Sequence, residues 1–302
     1  MRIGISVCSS HGVTDARQGA RNIVARTRAA RGADLDSLFI GDHHVTPFNY
    51  FQNTPMLGRM LAEWGDKPCG ALYLLPLWHP VVLAEQIATL ASIAEGPFIM
   101  QCGLGDARQG RAMGVDMSKR VGLFEASLRT LRSLWRGETV DEPRYWKISG
   151  ARIAPLPPQT VDVWIGAMVQ GAINRTARLA EGWLAAPSLT PAEARDSVNA
   201  YRQACAEFDR EPNAVAIRRD IFIGASSQEA RSVVAPYIDA GYRGMDADAL
   251  MFGSAAEVAE QMVALADCGY TDVIVRNLSA IQEECVATIE RLAEVKALIG
   301  ST

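Results

Sequence analysis

All four histidines of the chain directly follow short apolar runs that predict β-strands. His11 follows the first run, His43 and His44 follow the second, and His79 follows the third. Because the carboxyl ends of parallel strands meet at one edge of a sheet, we expect these imidazoles to share a cleft. Asp42 immediately precedes His43, and a carboxylate beside an imidazole suits it to acid–base catalysis near neutral pH. Asp42 and His43 are therefore predicted catalytic residues, with a polar loop cap as the alternative.

The same histidines fit a metal site less well. Adjacent side chains on an extended strand point in opposite directions, and the chain contains neither His-x-His nor His-Glu-x-x-His. We predict no bound metal. A metal-dependent barrel hydrolase, with His11, His43, His79 and Asp106 as ligands, is kept as an alternative function.

The loop after the fourth apolar run has a spacing suited to a flat or anionic ligand. Gly103 and Gly105 lack side chains there, which permits a ligand to approach the backbone closely. Asp106 and Gln109 follow within the same loop and offer hydrogen bonds to a polar edge of that ligand. An ordinary turn explains the same residues equally well.

The segment after the fifth apolar run is a candidate phosphate site. Met168, Val169, Gln170 and Gly171 lead directly into a predicted helix. Backbone N–H groups at the start of a helix bind phosphate without a basic side chain. The alternative is a plain turn between a strand and a helix.

The elements that position these loops alternate along the whole chain. Eight apolar runs, each followed by an amphipathic helical pattern, predict a parallel sheet closed into a (β/α)8 TIM barrel. A doubly wound open sheet is the alternative, although no Gly-x-Gly-x-x-Gly opens the first turn. No linker divides the chain, so we predict one domain over residues 1–302 with an irregular excursion at about 137–160. The predicted strands are Ile3–Cys8, Ser37–Ile40, Gly70–Leu75, Phe98–Cys102, Val161–Ile165, Trp183–Ala186, Val215–Ile223 and Val273–Arg276.

Composition limits the partners and the compartment. The net charge is −4, from 30 basic and 34 acidic residues without a basic run, so nucleic acid and membrane surfaces are not expected partners. Six cysteines are scattered and form no Cys-x-x-Cys pair, which favours reduced thiols. No signal-like apolar segment follows Met1. We therefore expect a cytoplasmic protein.

Taken in order, these segments resemble the bacterial luciferase-like monooxygenases, a superfamily of flavin- and F420-dependent barrel enzymes. The resemblance covers roughly residues 1 to 300, and its specificity comes from the succession of motifs rather than from any one of them. The matching segments are Asp42–His44, Leu75–Pro80, Gly103–Gln109, Phe124–Trp135 with Gly137 and Glu138, Val163–Gly166 and Arg178–Trp183.

The resemblance implies a reduced flavin across the barrel mouth, with its ring near the first four strands and its phosphate on the amides of Met168, Val169, Gln170 and Gly171. It implies catalytic roles for His43, oriented by Asp42, and for Asp106. It also implies a non-prolyl cis peptide bond in the third strand, by position at Leu72–Tyr73. The expected contacts of the flavin ring are Cys8, His43, Leu72, Tyr73, Gly103, Gly105, Asp106 and Gln109.

The resemblance leaves two cofactors open. The loop Gly105–Gln109 is similar to the F420-using branch, whereas the doubled histidine after Asp42 is similar to the FMN-using luciferases. No basic groove for the acidic tail of F420 is visible unless folding gathers Arg108, Arg111 and Arg175. We therefore predict FMN, used in its reduced form.

The predicted function is a flavin-dependent monooxygenase that acts with O2 on a small organic substrate. A homodimer is expected, and a separate flavin reductase is a candidate partner. The alternatives are an F420-dependent hydride-transfer enzyme on the same fold and a non-catalytic flavin-binding protein.

Overall fold

The computed structural model describes residues 1–300, and its central feature is a closed barrel of parallel strands. Eight strands pair in the order β1-β2-β3-β4-β7-β8-β9-β11, and β11 pairs back onto β1. The predicted TIM barrel is confirmed, and the open sheet is excluded. In this part of the chain the strands are β1 (Arg2–Val7), β2 (Ser37–Ile40), β3 (Cys69–Leu74), β4 (Phe98–Gly103), β5 (Val140–Glu142), β6 (Ile148–Ala151), β7 (Asp162–Gly166), β8 (Gly182–Ala185), β9 (Ala214–Ile223), β10 (Met251–Gly253) and β11 (Asp272–Asn277).

Helices surround the barrel and begin at recognisable caps. Thr190 and Ser254 each form a capping box with a glutamate three residues on, which satisfies backbone N–H groups at the starts of two helices. None of the helices in residues 1–300 is both long and apolar enough to cross a lipid bilayer. The helices are α1 (Ala16–Gly32), α2 (Asn53–Trp64), α3 (Pro80–Ile93), α4 (Ala107–Ala112), α5 (Arg120–Trp135), α6 (Gln170–Leu179), α7 (Pro191–Glu207), α8 (Ser227–Asp239), α9 (Ala255–Cys268) and α10 (Gln282–Gly300).

Strand alternation determines which side chains reach the barrel mouth. Successive side chains of a strand face opposite sides, so every second residue points into the barrel. Phe39, Ile99, Trp164, Ala216 and Ile274 belong to the apolar cluster that fills the interior, whereas the larger core lies between the strands and the helices. The next inward positions towards the carboxyl ends of β9 and β11 are Arg218, Asp220 and Arg276. Charged side chains therefore lie above the apolar filling.

The excursion between α5 and β7 is more ordered than predicted. Residues 137–160 contain an antiparallel hairpin formed by β5 and β6. Two other short elements were not predicted, namely α4 and β10, which pairs with the carboxyl-terminal half of β9. Each strand of the hairpin has only three or four residues, which is too few for a clear alternation of apolar and polar positions.

The predicted cis peptide bond at Leu72–Tyr73 is wrong. The one cis peptide bond within residues 1–300 is Ala154–Pro155. β3 instead keeps an unbroken parallel register with β4 from Cys69 to Leu74, and this regular ladder is formed by extended trans peptides. The ring of Tyr73 is fully buried on the outer side of the barrel, with its centroid 5.5 Å from that of Trp78. Tyr73 therefore does not present its ring to the mouth as a flavin contact.

Candidate active site at the barrel mouth

Two cavities of about 220 and 350 Å³ adjoin each other at the carboxyl-terminal mouth of the barrel. Both are lined by Cys8, Phe48 and Arg276, and the smaller one also by His43 and Leu72. Active sites of TIM barrels lie at this end because the loops that follow the strands converge there. These cavities therefore form the candidate active site, and the predicted contacts Cys8, His43 and Leu72 line them.

His43 lies at the edge of the smaller cavity with its ring half-buried. Its Nε2 atom is 3.3 Å from Nη2 of Arg108, and its ring faces those of Phe48 and Tyr50 at centroid distances of 6.2 and 5.7 Å. Burial and the positive charge of Arg108 lower the pKa of His43 below its ordinary value, although Asp106 and Asp42 act in the opposite direction. His43 is therefore neutral at pH 7, and its Nε2 atom accepts from the guanidinium of Arg108, which can only donate.

Asp42 contacts a different histidine from the one predicted. Its buried carboxylate accepts hydrogen bonds from the Leu74 amide and from Nε1 of Trp78, both at 2.8 Å. Its second oxygen lies 3.1 Å from Nε2 of His44, and no hydrogen bond joins it to His43 within residues 1–300. The expectation that Asp42 orients His43 is therefore wrong. The Asp42 carboxylate instead faces β3, so Asp42 is a positioning residue that connects the end of β2 to β3.

This arrangement predicts the effect of removing the Asp42 carboxylate. Asp42→Ala leaves the Leu74 amide and the Trp78 indole N–H buried without an acceptor, so we expect the free energy of unfolding to fall by about 2 kcal/mol. Urea denaturation measures this loss. Asp42→Asn retains an acceptor oxygen and is expected to recover part of it. Equal stability of the wild type and Asp42→Ala would contradict the positioning role.

The other two histidines do not join His43. The His11 ring stacks on Phe51 with centroids 4.7 Å apart, and His79 packs against Trp146 at 5.6 Å. His11 reaches the larger cavity, whereas His79 lies outside both. Within residues 1–300, no group of three His, Cys, Asp or Glu side chains is placed to hold a metal ion. The alternative of a metal-dependent hydrolase therefore lacks a ligand set.

The loop after β4 is held by hydrogen bonds between its own predicted site residues. Asp106 caps α4 by accepting bonds from the backbone N–H of Gln109 at 2.9 Å and from its side-chain amide at 2.6 Å. These bonds lower the pKa of Asp106 although burial opposes them. The side-chain oxygen of Gln109 accepts a 2.8 Å bond from the His44 amide. Asp106 and Gln109 therefore link the loop after β4 to the loop after β2, beside His43.

Glycines keep this loop close to the end of β3. Gly105 has a φ of +72°, a backbone conformation that other residues adopt only with strain. A side chain at Gly103 or Gly105 would first contact Leu74, at 3.5 Å in each case. Backbone conformation therefore explains Gly105, whereas a Cβ at Gly103 would meet Leu74 only at an ordinary contact distance. Contact of either glycine with a cofactor stays a prediction.

The predicted phosphate segment begins a helix as expected. α6 starts at Gln170, and Val169, which precedes it, provides no side-chain hydrogen bond to the first turn. Met168 and Val169 are 56% and 70% exposed, and no atom lies within 4 Å of the position that a Cβ of Gly171 would take. In the barrel order this segment follows β7, the strand opposite β1. It therefore offers free N–H groups and open space to an anion.

Sequence reasoning missed the arginines of the mouth. Arg218, Arg243 and Arg276 line the smaller cavity, and Asp220 lies behind them. The charged residues of β9 interrupt an otherwise apolar strand. This interruption in the sequence could have indicated that charged side chains line the barrel mouth. Cys8 lies beside this cluster with its Sγ 2.9 Å from Oγ of Ser10, and Arg276 lowers its pKa although burial opposes the shift.

Known proteins share sequence motifs and the fold with this chain. The sequence model of the luciferase-like monooxygenase family matches residues 1–248. An F420-dependent glucose-6-phosphate dehydrogenase of Nakamurella multipartita is 28% identical over 181 residues, which are 56% of this chain and 53% of that protein. The chain thus matches about half the length of this curated relative.

Two solved structures share the whole fold. The monooxygenase RslO1 from Streptomyces bottropensis superposes with a TM-score of 0.87 at 17% identity, covering 99% of each chain. The oxygenating constituent of 3,6-diketocamphane monooxygenase from Pseudomonas putida, in complex with FMN, superposes with a TM-score of 0.82 at 16% identity, covering 97% of each chain. At these identities the likeness establishes the fold.

Proposed function

Because the chain belongs to the luciferase-like monooxygenase family, we propose that it is a monooxygenase that uses reduced FMN and O2 on a small organic substrate. The observation that carries this proposal is the neutral imidazole of His43 at the edge of the mouth cavities. A group of this kind accepts or returns a proton near neutral pH, which oxygen transfer to an organic substrate requires.

The residues of the mouth fit a bound flavin mononucleotide. The free N–H groups of Gln170 and Gly171 would hold its phosphate, and the exposed side chains of Met168 and Val169 would be covered by it. When bound, reduced FMN supplies the electrons that activate O2. The imidazole of His43 would hold or move a proton beside it.

Three arginines bear on the choice between FMN and F420. Arg108 donates to the Val45 carbonyl at 2.6 Å and contacts His43, and the guanidinium of Arg175 lies 5.8 Å from the ring centre of Phe124. Within residues 1–300 neither Arg111, which is exposed, nor Arg175, whose Nε is buried, makes a side-chain hydrogen bond. Within residues 1–300 these three arginines form no hydrogen bond with one another, and the proposal of FMN rests on the phosphate site at the start of α6.

F420-dependent hydride transfer is the second candidate. It is favoured by the curated relative named as an F420-dependent glucose-6-phosphate dehydrogenase. On this alternative His43 and Asp106 would lie at the deazaflavin ring, and the same mouth would hold the substrate.

Stopped-flow kinetics distinguishes the two. The protein is mixed anaerobically with reduced FMN or reduced F420 and then with oxygenated buffer. We expect the protein to change the reoxidation rate of FMN at least tenfold relative to free FMN and to leave that of F420 unaltered. An unchanged reoxidation rate of FMN, together with saturable binding of F420 by the same protein, would support the second candidate and contradict the first.

The contact between Arg108 and His43 predicts a change in pH dependence. With Arg108 present, the lowered pKa keeps His43 neutral to more acidic pH, and activity falls only as pH drops through that value. Arg108→Met removes a positive charge, so the pKa of His43 should rise and the acid limb of the rate profile should move to higher pH. Arg111→Met removes an exposed charge on α4 and should leave the profile in place. Coincident profiles for all three proteins would contradict a proton-carrying His43.

A further inference from the structure

The mouth cavities carry more positive than negative charge on their β9–β11 side. Arg218, Arg243 and Arg276 form an arginine cluster there, and Asp220 is the carboxylate that contacts it. Oδ2 of Asp220 accepts bonds from Arg243 at 2.8 Å and from the Tyr242 hydroxyl at 2.9 Å. Burial lowers the pKa of Arg218 only to about 10, so its guanidinium group is charged at pH 7. One carboxylate therefore faces three cations.

Two members of the cluster have unused hydrogen-bond donors. Within residues 1–300, the guanidinium of Arg276 makes no hydrogen bond, and its Nε atom is buried. Arg218 makes none either, and its buried Nε lies 3.6 Å from Oδ1 of Asp220. Buried donors without acceptors destabilise a folded chain, because they lose their hydrogen bonds to water. Such a cost is expected at a binding site, where the missing acceptor belongs to a ligand.

We propose that the arginine cluster binds the anionic head group of the substrate, a small organic carboxylate, sulfonate or phosphate. The inference rests on the proposed function, since it takes the mouth as the place of reaction. Guanidinium groups bind such head groups through charge-assisted and often paired hydrogen bonds. The rest of the substrate would extend along the cavity towards Leu72 and His43, which line the same cavity as the arginines.

The position of the cluster separates it from the proposed cofactor phosphate. Arg276 lies near the carboxyl end of β11, the neighbour of β1, whereas the amides of Gln170 and Gly171 follow β7, the strand opposite β1. A flavin with its phosphate on α6 would therefore place that phosphate away from the arginines. The arginine cluster is therefore available to bind an anion other than the cofactor phosphate.

The first test compares ligands on the wild-type protein without cofactor. Isothermal titration at constant ionic strength uses hexanoate, hexanesulfonate and hexyl phosphate against 1-hexanol, which shares the apolar chain but lacks the charge. At least one anion is expected to bind tenfold or more tightly than 1-hexanol, and the best of the three identifies the head group. Equal binding of the alcohol and all three anions would overturn the proposal, and this comparison needs no variant.

The second test removes one charge of the cluster. Arg276→Gln should weaken binding of the best anion at least tenfold and leave FMN affinity within twofold. Its melting temperature is measured alongside to show that the variant is folded, because the Arg276 charge also lowers the pKa of the buried Asp220 carboxyl. Arg218→Gln serves as a second variant of the cluster. Arg129→Gln on the exposed face of α5 is the control, because it removes the same charge far from the mouth and should leave the affinities for the anion and for FMN unchanged.

The outcomes separate this inference from the proposed function. If Arg276→Gln and Arg218→Gln bind the anion like the wild type, or if they lose FMN affinity as strongly as anion affinity, the cluster is not a substrate site. A wild-type protein that binds FMN but none of the anions contradicts this inference alone. One that binds the anions but no flavin contradicts the proposed function alone.

Discussion

His43→Ala is expected to lower the turnover of the enzyme by about two to four orders of magnitude, the effect of losing a general acid or base. The imidazole lies at the edge of the mouth cavity, is neutral at pH 7 and has its Nε2 atom within reach of Arg108. Because the ring lies in a half-exposed loop, its removal should leave the barrel intact. Turnover with reduced FMN and O2, together with a thermal melt, measures both effects.

His79→Ala is the matched control for this prediction. His79 also follows a barrel strand, but it packs on Trp146 and lies outside both mouth cavities. It should keep near wild-type turnover. A His43→Ala protein that folds and turns over at the wild-type rate would remove His43 from the mechanism.

Gly171→Asp is expected to weaken FMN binding on the order of a hundredfold. The new carboxylate would enter open space at the second residue of α6, where the phosphate dianion is proposed to bind. Like charges about 5 Å apart at a protein surface repel by a few kcal/mol. The helix itself should tolerate the change, because an acidic residue in the first turn interacts favourably with the helix dipole. Fluorescence titration with FMN measures the loss.

Ala192→Asp provides the control for the charge. Ala192 is exposed and is the second residue of α7, so the substitution adds the same charge at the same helix position beside a different strand. Its FMN affinity should stay within twofold of the wild type. If Gly171→Asp binds FMN as tightly as Ala192→Asp does, the phosphate lies elsewhere.

The barrel could be predicted because its signals are local. A buried parallel strand is apolar on both faces, and the run Ser37–Ile40 matches β2 at both ends. The predicted limits of the other seven barrel strands differ from the observed ones by one residue at one or both ends. The hairpin of β5 and β6 was not predicted because its strands have only three and four residues and carry no regular alternation of apolar and polar positions.

The partners within the site could not be predicted, because they depend on the closed barrel. Because Asp42 and His43 are adjacent in the sequence, we expected the carboxylate to orient the imidazole. The turn of the chain after β2 instead directs the carboxylate to the Leu74 amide. Arg218 and Arg276 are 58 positions apart in the chain and meet because β9 pairs with β11. Alternation along β3 would have identified Leu72 as inward-facing and Tyr73 as outward-facing.

Equilibrium titration of the purified chain with reduced FMN, oxidised FMN and F420, under anaerobic conditions, tests the central claim most directly. The proposed site predicts saturable binding of one FMN per chain, with reduced FMN bound at least as tightly as oxidised FMN and at least tenfold more tightly than F420. Tighter binding of F420 than of either form of FMN, or the absence of flavin binding altogether, would contradict it.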